Sequence, residues 1–244
     1  MDLLTTATSA DEKERAADIA VLPIGSFEQH GSHLPLITDT VIACTIAKAI
    51  ADEYNLFLLP PITISCSHEH AAFAGTVSIT ASTLMSIIRD VAESLERQGI
   101  RKLLLVNGHG GNYVLGNVVQ QSNVRGPRFM LYPSSAEWSA ARRAAGCITD
   151  SHEDMHGGEG ETSVLLCFAP HMVHENRREA DWRVPSRPDL LTLGMRHYAP
   201  TGIIGRPSAA SAEKGEVLVA SLVNDAGPRI AALRGEVGHV AEGP

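Results

Sequence analysis

A continuous apolar run at residues 103–106, LLLV, constrains the fold of this chain more than any other feature. Such a run is typical of a parallel strand that is buried on both faces. Further apolar segments at 19–24, 56–59 and 128–132 also predict buried strands, and segments with helical spacing of apolar residues separate them. Strands that alternate with helices in this way predict an α/β fold with a mostly parallel central sheet.

The length of the chain, 244 residues, fits one large α/β domain. We predict a polar N-terminal arm over residues 1–17 and a single domain over residues 18–240. Residues 170–212 are rich in Pro and Arg, and they predict an irregular excursion that lies over the site or forms an oligomer contact. Residues 212–233 predict a closing amphipathic helix that is interrupted near Pro228.

The charge of the chain argues against two classes of partner. The formal net charge is -8 and the basic residues are scattered, so neither a nucleic acid nor an anionic membrane surface is expected. No apolar stretch approaches the ~20 residues that a membrane-spanning helix needs. The four cysteines form no CxxC pair, which favours a reducing compartment. We therefore expect a cytoplasmic protein that acts on a small or neutral substrate.

Titratable side chains are concentrated shortly after the first predicted strand, in residues 28–39. Glu28 and His30 are two apart on an extended segment, so both side chains can point to one centre. Asp39 lies at a predicted helix start and can return to the same place. Carboxylate and imidazole ligands suit Zn²⁺, Mn²⁺ or Fe²⁺, whereas a solvated loop is the alternative for these residues. His33 is either a partner of the ligands or a packed residue.

Two later stretches carry further candidates. In residues 107–112, NGHGGN, glycines around His109 let the backbone approach a ligand, and we interpret His109 as a metal ligand rather than part of a plain tight turn. Downstream, His156 and Glu161 join the same predicted cluster, although an acidic residue at a helix start can also act only on the helix dipole. We interpret Glu159 as such a structural residue.

The residues expected to contact the substrate lie around this cluster. In open α/β sheets, ligands bind outside the carboxyl ends of the strands, so polar groups that follow neighbouring strands converge at one edge. Residues 67–70, SHEH, follow the second predicted strand and therefore belong to that edge. The candidate substrate-binding residues are Ser67, His70, Gly110, Gly111 and Glu153.

These motifs together resemble those of the creatininase (creatinine amidohydrolase) family. The matching segments are residues 22–31, 34–36 and 38–39 for the first motif, 107–112 for the second, and 156–158 with 161–163 for the third. The resemblance spans about residues 19–225. The combined motifs are specific for the family but not for one substrate.

The resemblance implies a layered α/β/α fold, a homo-oligomer that is often a hexamer, and a centre of two divalent metal ions that hydrolyses a C–N amide bond. Zn²⁺ is the expected ion, with Fe²⁺ or Mn²⁺ as alternatives. The implied ligands are Glu28 and His109 for one ion, His30 for the other, and Asp39 as the bridge between them. His156 and Glu161 are the implied catalytic residues: His156 transfers a proton, and Glu161 is either a further ligand or a partner of the ligands.

Two departures from the family pattern bear on the substrate. Creatininases proper carry a carboxylate at the position of Gly111, so the second ion needs another ligand, for which Glu161 or water is the candidate. They also hold their substrate ring with tryptophan, where this chain has His152. We therefore expect hydrolysis of a small-molecule cyclic amide or formamide other than creatinine. The alternatives are a peptidase that trims a modified precursor peptide, as in mycofactocin biosynthesis, and a non-catalytic metal-binding sensor or scaffold.

Overall fold

A computed structural model describes residues 3–236 of the chain. The strands of this part are β1 (Ile19–Ile24), β2 (Phe57–Leu58), β3 (Lys102–Asn107) and β4 (Phe129–Tyr132). They form one parallel sheet in the order β2-β1-β3-β4, so the predicted α/β class is confirmed. The outermost parts of the predicted arm and domain, residues 1–2 and 237–240, lie outside the described residues.

Helices connect the strands, and further helices follow β4. They are α1 (Ser9–Arg15), α2 (Thr38–Tyr54), α3 (Ala81–Arg97), α4 (Val114–Ser122), α5 (Ser135–Ala144), α6 (Glu159–Phe168), α7 (Leu190–Leu193), α8 (Met195–Tyr198) and α9 (Ala212–Arg234). Short 3-10 turns lie at His68–His70, Pro170–Met172, Glu175–Glu179 and Pro207–Ala209. The predicted arm thus contains α1, and the predicted 170–212 excursion contains several short helical turns. None of the described helices has the length and apolar composition that crossing a bilayer requires.

Alternate residues of β1 and β3 face opposite layers of helices. Ile19 and Val21 pack with Leu104 in a core that α2, α6 and α9 cover. Ala20 packs with Leu103 in a second core, which α3 and α4 cover. Because both faces of the central strands are buried, their side chains are apolar without alternation, and the architecture is the layered α/β/α arrangement.

The closing helix, α9, continues through Pro228, so the predicted interruption of this helix is wrong. Pro228 lacks the amide hydrogen that would bond to the preceding turn. The hydroxyls of Tyr132 and Tyr54 donate hydrogen bonds to the carbonyls of Leu222 and Val223, shortly before the proline. Packing against β4 and α2 therefore maintains a helix that the local sequence alone would break.

The order in which the strands are added to the sheet reverses between β1 and β3. The chain leaves β1 to form β2 on one side of it and then returns to form β3 on the other side. Open α/β sheets bind ligands outside the carboxyl ends of the strands at such a switch point. The loops that follow β1 and β3 therefore flank the expected binding crevice.

Candidate metal centre

Three segments bring side chains of the metal-ligand type together at this crevice. The loop after β1 carries Glu28 and His30, the first turn of α2 carries Asp39, and the turn after β3 carries His109. Gly108 allows the turn to approach α2, since a Cβ at this position would lie 2.3 Å from the backbone oxygen of Asp39. Any larger residue at position 108 would push the turn and the helix apart.

Asp39 stands between two groups of ligand-type atoms. Its Oδ2 lies 3.0 Å from His109 Nδ1, which is 3.2 Å from Glu28 Oε1. Its Oδ1 lies 3.0 Å from His30 Nε2, which is 3.8 Å from Glu161 Oε2. Within each group the three ligand atoms lie within 4.8 Å of one another. We call these sets the Glu28 group (Glu28, Asp39, His109) and the His30 group (His30, Asp39, Glu161).

The surroundings of Glu28 fit a bound cation. Its side chain is fully buried, and neither carboxylate oxygen has a hydrogen-bond partner among the described residues. Burying a charged carboxylate without donors costs several kcal/mol, on the order given by desolvation of buried ions, so a cation is the expected partner. Mixed carboxylate and imidazole ligands suit Zn²⁺, Mn²⁺ and Fe²⁺. The residues present therefore fit divalent ions of this kind.

Backbone carbonyls orient the two histidines of these groups. His109 Nε2 lies 2.9 Å from the carbonyl oxygen of Cys66, and His30 Nδ1 lies 3.1 Å from the carbonyl oxygen of Glu28. A carbonyl oxygen only accepts, so each of these nitrogens carries a hydrogen. The other nitrogens, His109 Nδ1 and His30 Nε2, face the carboxylates and are the ones available to a cation. Partners of this kind fix the tautomer of metal-binding histidines.

Two further imidazoles, His70 and His156, also face Glu28. His70 Nε2 lies 3.4 Å and His156 Nδ1 lies 3.6 Å from Glu28 Oε1. His156 Nε2 donates to the carbonyl oxygen of Gln29 at 2.6 Å, which leaves the lone pair on Nδ1. The Gln29 amide donates to His70 Nδ1 and to the carbonyl of Gly202, both at 2.9 Å, so His70 Nε2 carries the hydrogen. One proton acceptor and one hydrogen-bond donor therefore lie beside Glu28.

Burial and the carboxylates act in opposite directions on the histidines. Burial disfavours the imidazolium of His30, but Asp39 outweighs it and raises the pKa of His30 to about 9. Burial lowers the pKa of His70 to about 4 and the pKa of His156 well below its usual value. Burial also raises the pKa of Glu161 to about 7. Without ions, the cluster therefore holds protons near its carboxylates, and binding of cations releases protons.

Two cavities open on either side of the turn that carries His109. The Glu69 cavity, of about 560 Å³, is lined by Glu69 and Gly111 together with mostly apolar residues and the polar side chains of His68, Thr80 and Thr192. The Glu161 cavity, of about 400 Å³, is lined by Gly110 and Glu161 together with aromatic and polar residues. Both volumes lie in the range of small-molecule sites. A substrate can therefore extend from the cluster in two directions.

Four of the five predicted substrate-binding residues lie in or beside the cluster and its cavities. His70 faces Glu28, while Gly110 and Gly111 line the two cavities. Ser67 is fully buried directly before the turn that carries His70, and its Oγ has no hydrogen-bond partner among the described residues. These four positions agree with the expected convergence at one edge of the sheet.

The fifth residue, Glu153, lies elsewhere. Its carboxylate forms an exposed ion pair with Arg183 at 3.0 Å, and it lines neither of the two cavities. The reason is a local turn: the Asp150 carboxylate accepts hydrogen bonds from the amides of His152 and Glu153, both at 2.8 Å. This turn is exposed, and His152 is exposed with it. The expectation that Glu153 contacts the substrate is not supported by this placement.

The structure places at the site three residues that are absent from the predicted site residues, although the sequence placed Glu69 at the same edge of the sheet. Ser26 donates a 2.7 Å hydrogen bond to Asp39 Oδ2, and Gln29 contacts both His70 and His156. Glu69 lies with its Oε1 3.6 Å from the Nε2 of His109. Their position within or beside the segments that carry the predicted site residues was the only sequence signal for them. Their partners come from distant segments, so the sequence spacing alone does not reveal these contacts.

Comparisons with known proteins agree with the geometry. The family model described as "Creatininase: Creatinine amidohydrolase" matches residues 4–228. A "Mycofactocin precursor peptide peptidase" from Mycobacterium ulcerans (strain Agy99) is 36% identical over 241 residues, covering 93% of this chain and 90% of that protein. The "Creatinine amidohydrolase" of Pseudomonas putida is 24% identical over 220 residues, covering 82% of this chain and 84% of that protein.

A solved structure described as "Creatininase Mn" has the same fold. It superposes with a TM-score of 0.76 at 23% identity, covering 93% of this chain and 96% of that chain. The resemblance in the motifs thus extends to the arrangement of the whole sheet and its helices. Since the family model matches nearly the entire chain, the protein belongs to the creatininase family.

Proposed function

We propose that the protein is a metal-dependent hydrolase that cleaves the C–N bond of an amide. One observation carries the proposal: the Glu28 group and the His30 group share Asp39 around a buried carboxylate that has no hydrogen-bond partner among residues 3–236. Adjacent metal sites that share a carboxylate are a recurrent arrangement in hydrolytic enzymes.

The Glu28 group would hold one divalent ion, and the His30 group would hold the other. Glu161 then supplies the carboxylate that a glycine at position 111 cannot provide. We propose Mn²⁺ or Zn²⁺ as the ions, because the donors suit both and a related structure is described as a manganese form. When bound, such ions polarise a carbonyl oxygen and lower the pKa of water from ~15.7 towards ~7.

His156 and His70 have distinct tasks in this proposal. Burial holds the pKa of His156 low, so its Nδ1 is free at neutral pH to accept a proton from the attacking water and to return it to the leaving nitrogen. His70 Nε2–H is placed to donate a hydrogen bond to the carbonyl oxygen of the amide. Gln29 contacts both rings and keeps each in the tautomer that its task requires.

A peptide is the substrate class that we favour, ahead of the small cyclic amide or formamide that the sequence placed first. Two observations support this order. The relative with 36% identity is named a peptidase, whereas the creatinine amidohydrolase is 24% identical. The Glu69 cavity and the Glu161 cavity also offer room on both sides of the His109 turn, as residues flanking a peptide bond require.

Metal analysis tests the proposed centre. We expect about two divalent ions per purified chain, and a loss of at least one ion together with activity in His109→Ala, because His109 Nδ1 faces two carboxylates. Gly116→Ala is the matched control, since a Cβ at this position in α4 meets nothing within 4 Å. Equal ion content and equal activity in the wild type and His109→Ala would contradict the proposal.

A substrate panel separates the remaining functions. Short peptides, cyclic amides and formamides are incubated with protein that is loaded with Zn²⁺, Mn²⁺ or Fe²⁺. Cleavage of peptides supports the favoured class, and cleavage of small amides alone restores the first expectation. Tight ion binding without hydrolysis of any compound would instead favour the sensor or scaffold.

The assembly of the protein remains a prediction. A homo-oligomer, often a hexamer by the family resemblance, is expected in solution, without a nucleic-acid or membrane partner. Light scattering on a sizing column measures the mass of the assembly. A monomer at micromolar concentration would contradict the expectation without affecting the proposed chemistry.

A further inference from the structure

Glu69 is a largely buried carboxylate that belongs to neither group of ligand atoms. Its side chain is 8% exposed, and its Oε1 lies 3.6 Å from His109 Nε2. That nitrogen donates to the carbonyl oxygen of Cys66 at 2.9 Å instead. In the described part of the chain, no other residue donates a hydrogen bond to the Glu69 carboxylate. A largely buried carboxylate that lines a cavity and has no donor from another residue can accept a hydrogen bond from a bound ligand.

The absence of a side chain at position 111 creates the space that Glu69 occupies. A Cβ built on Gly111 would lie 1.9 Å from Glu69 Oε1 and 2.4 Å from His109 Nε2. The Glu69 carboxylate therefore reaches the edge of the cluster because position 111 is glycine. It does so without approaching Glu28, Asp39 or Glu161 closely enough to join a ligand set.

The cavity that Glu69 lines combines this anion with an apolar wall. Tyr113, Leu191 and Leu193 line the same cavity, and they are 60%, 70% and 48% exposed. Large apolar side chains exposed beside a cavity indicate a surface that covers an apolar group. The cavity therefore offers a negative charge at its inner end, next to His109, and apolar contacts towards its mouth.

We propose, on the basis of the amide hydrolysis proposed above, that Glu69 and this apolar wall recognise one side of the substrate. The recognised group is a protonated amine that carries an aliphatic or aromatic substituent. The ammonium donates to the Glu69 carboxylate, and the substituent packs on Tyr113, Leu191 and Leu193. Charge-assisted hydrogen bonds at a desolvated carboxylate are stronger than neutral ones, so the site distinguishes an amine from a neutral group of the same shape.

Binding of two matched probes to the metal-loaded protein tests this assignment. The probes are 3-methylbutylamine, which is protonated at neutral pH, and 3-methylbutan-1-ol, which has the same shape without the charge. Calorimetry or ligand-observed NMR measures both dissociation constants. We expect the wild type to bind the amine at least ~10-fold more tightly, since a charge-assisted bond replaces a neutral one.

Substitutions test which residues cause the preference for the amine over the alcohol. Glu69→Gln should bind amine and alcohol equally while retaining the wild-type ion content, because Glu69 is not a ligand. Glu93→Gln, at an exposed position on α3, is the matched control and should keep the preference. Leu191→Ala should weaken the binding of both probes by a similar factor, because the wall contacts their shared apolar part.

Three results would overturn the assignment. The first is equal binding of both probes by the wild type, which includes no binding of either probe at millimolar concentration. The second is an undiminished preference for the amine in Glu69→Gln. The third is a loss of ions in Glu69→Gln. The probes contain no amide, so the outcome is independent of hydrolysis. Hydrolysis without the amine preference removes the Glu69 assignment alone, and the preference without hydrolysis removes the proposed reaction alone.

Discussion

Glu28 and Glu159 are both fully buried glutamates, yet their surroundings are opposite. The Glu159 carboxylate accepts hydrogen bonds from the amides of Ile148 and Thr149, and it pairs with Lys214 at 2.6 Å. The Glu28 carboxylate has no such partner among the described residues. A buried carboxylate with donors holds a loop in place, whereas one without donors is ready for a cation. Burial alone therefore does not identify a functional carboxylate, but the presence or absence of donors separates the two roles.

The largest effect is expected at Glu28, whose carboxylate has no hydrogen-bond partner among the described residues. Glu28→Gln should lower kcat/KM by about 1000-fold, which corresponds to about 4 kcal/mol, because a ligand of one ion is lost. Metal content and steady-state kinetics measure the loss of the ion and of activity. Full ion content in the variant would contradict the role of Glu28 as a ligand.

Glu159, whose carboxylate has partners, should show the reverse pattern: a loss of stability without a loss of ions. Glu159→Ala is expected to lower the free energy of unfolding by about 3 kcal/mol, since it removes the acceptor of the Ile148 and Thr149 amides and the charged partner of Lys214. The ion content of the folded variant should equal that of the wild type. Urea unfolding is the measurement, with the exposed Glu216→Ala as the control. A loss of ions without a loss of stability would exchange the roles assigned to the two glutamates.

The clustering of Glu28, His30, Asp39 and His109 could be anticipated from the sequence. These residues follow or flank two predicted strands, and the carboxyl ends of parallel strands lie at the same edge of a sheet. The structure places the four side chains together as that reasoning requires. The interpretation of Glu159 as a structural residue also agrees with its donors.

The contacts of Glu69 and Gln29 could not be anticipated in the same way. Glu69 reaches His109 only because Gly111 has no side chain to fill the space between them. Gln29 contacts His70 and His156, which lie far from it in the sequence. Such contacts depend on how loops pack in three dimensions, which no local pattern encodes. The continuity of α9 through its proline has the same origin, because tertiary contacts override the local preference.

A third buried group, His33, extends the comparison to pH. Burial lowers the pKa of His33 to about 4, and His30, Arg177 and His174 add repulsion to its charged form. The unfolded state therefore binds more protons than the folded state between about pH 6.5 and 4, so stability falls as the pH decreases through this window. Between pH 7.5 and 5 we expect a loss of about 2 kcal/mol from this residue.

Unfolding of the metal-free protein as a function of pH isolates this contribution. His33→Gln has no titrating group at this position, and its stability should decline less between pH 7.5 and 5 than that of the wild type. The difference between the two curves is the informative quantity, since other groups titrate in both proteins. Parallel curves would show that the buried imidazole is protonated in the folded state without cost.

The smallest effect is expected at Glu153, which the sequence placed among the substrate-binding residues. Its carboxylate is paired with Arg183 on the surface, and exposed ion pairs of this kind contribute about 0–1 kcal/mol. Glu153→Gln should therefore change KM by less than about twofold and the free energy of unfolding by less than about 0.5 kcal/mol. Kinetics on the best compound of the panel measure the first quantity. A ~10-fold rise in KM, about 1.4 kcal/mol, would mean that the loop carrying Glu153 contacts the substrate when it binds, as the sequence first indicated.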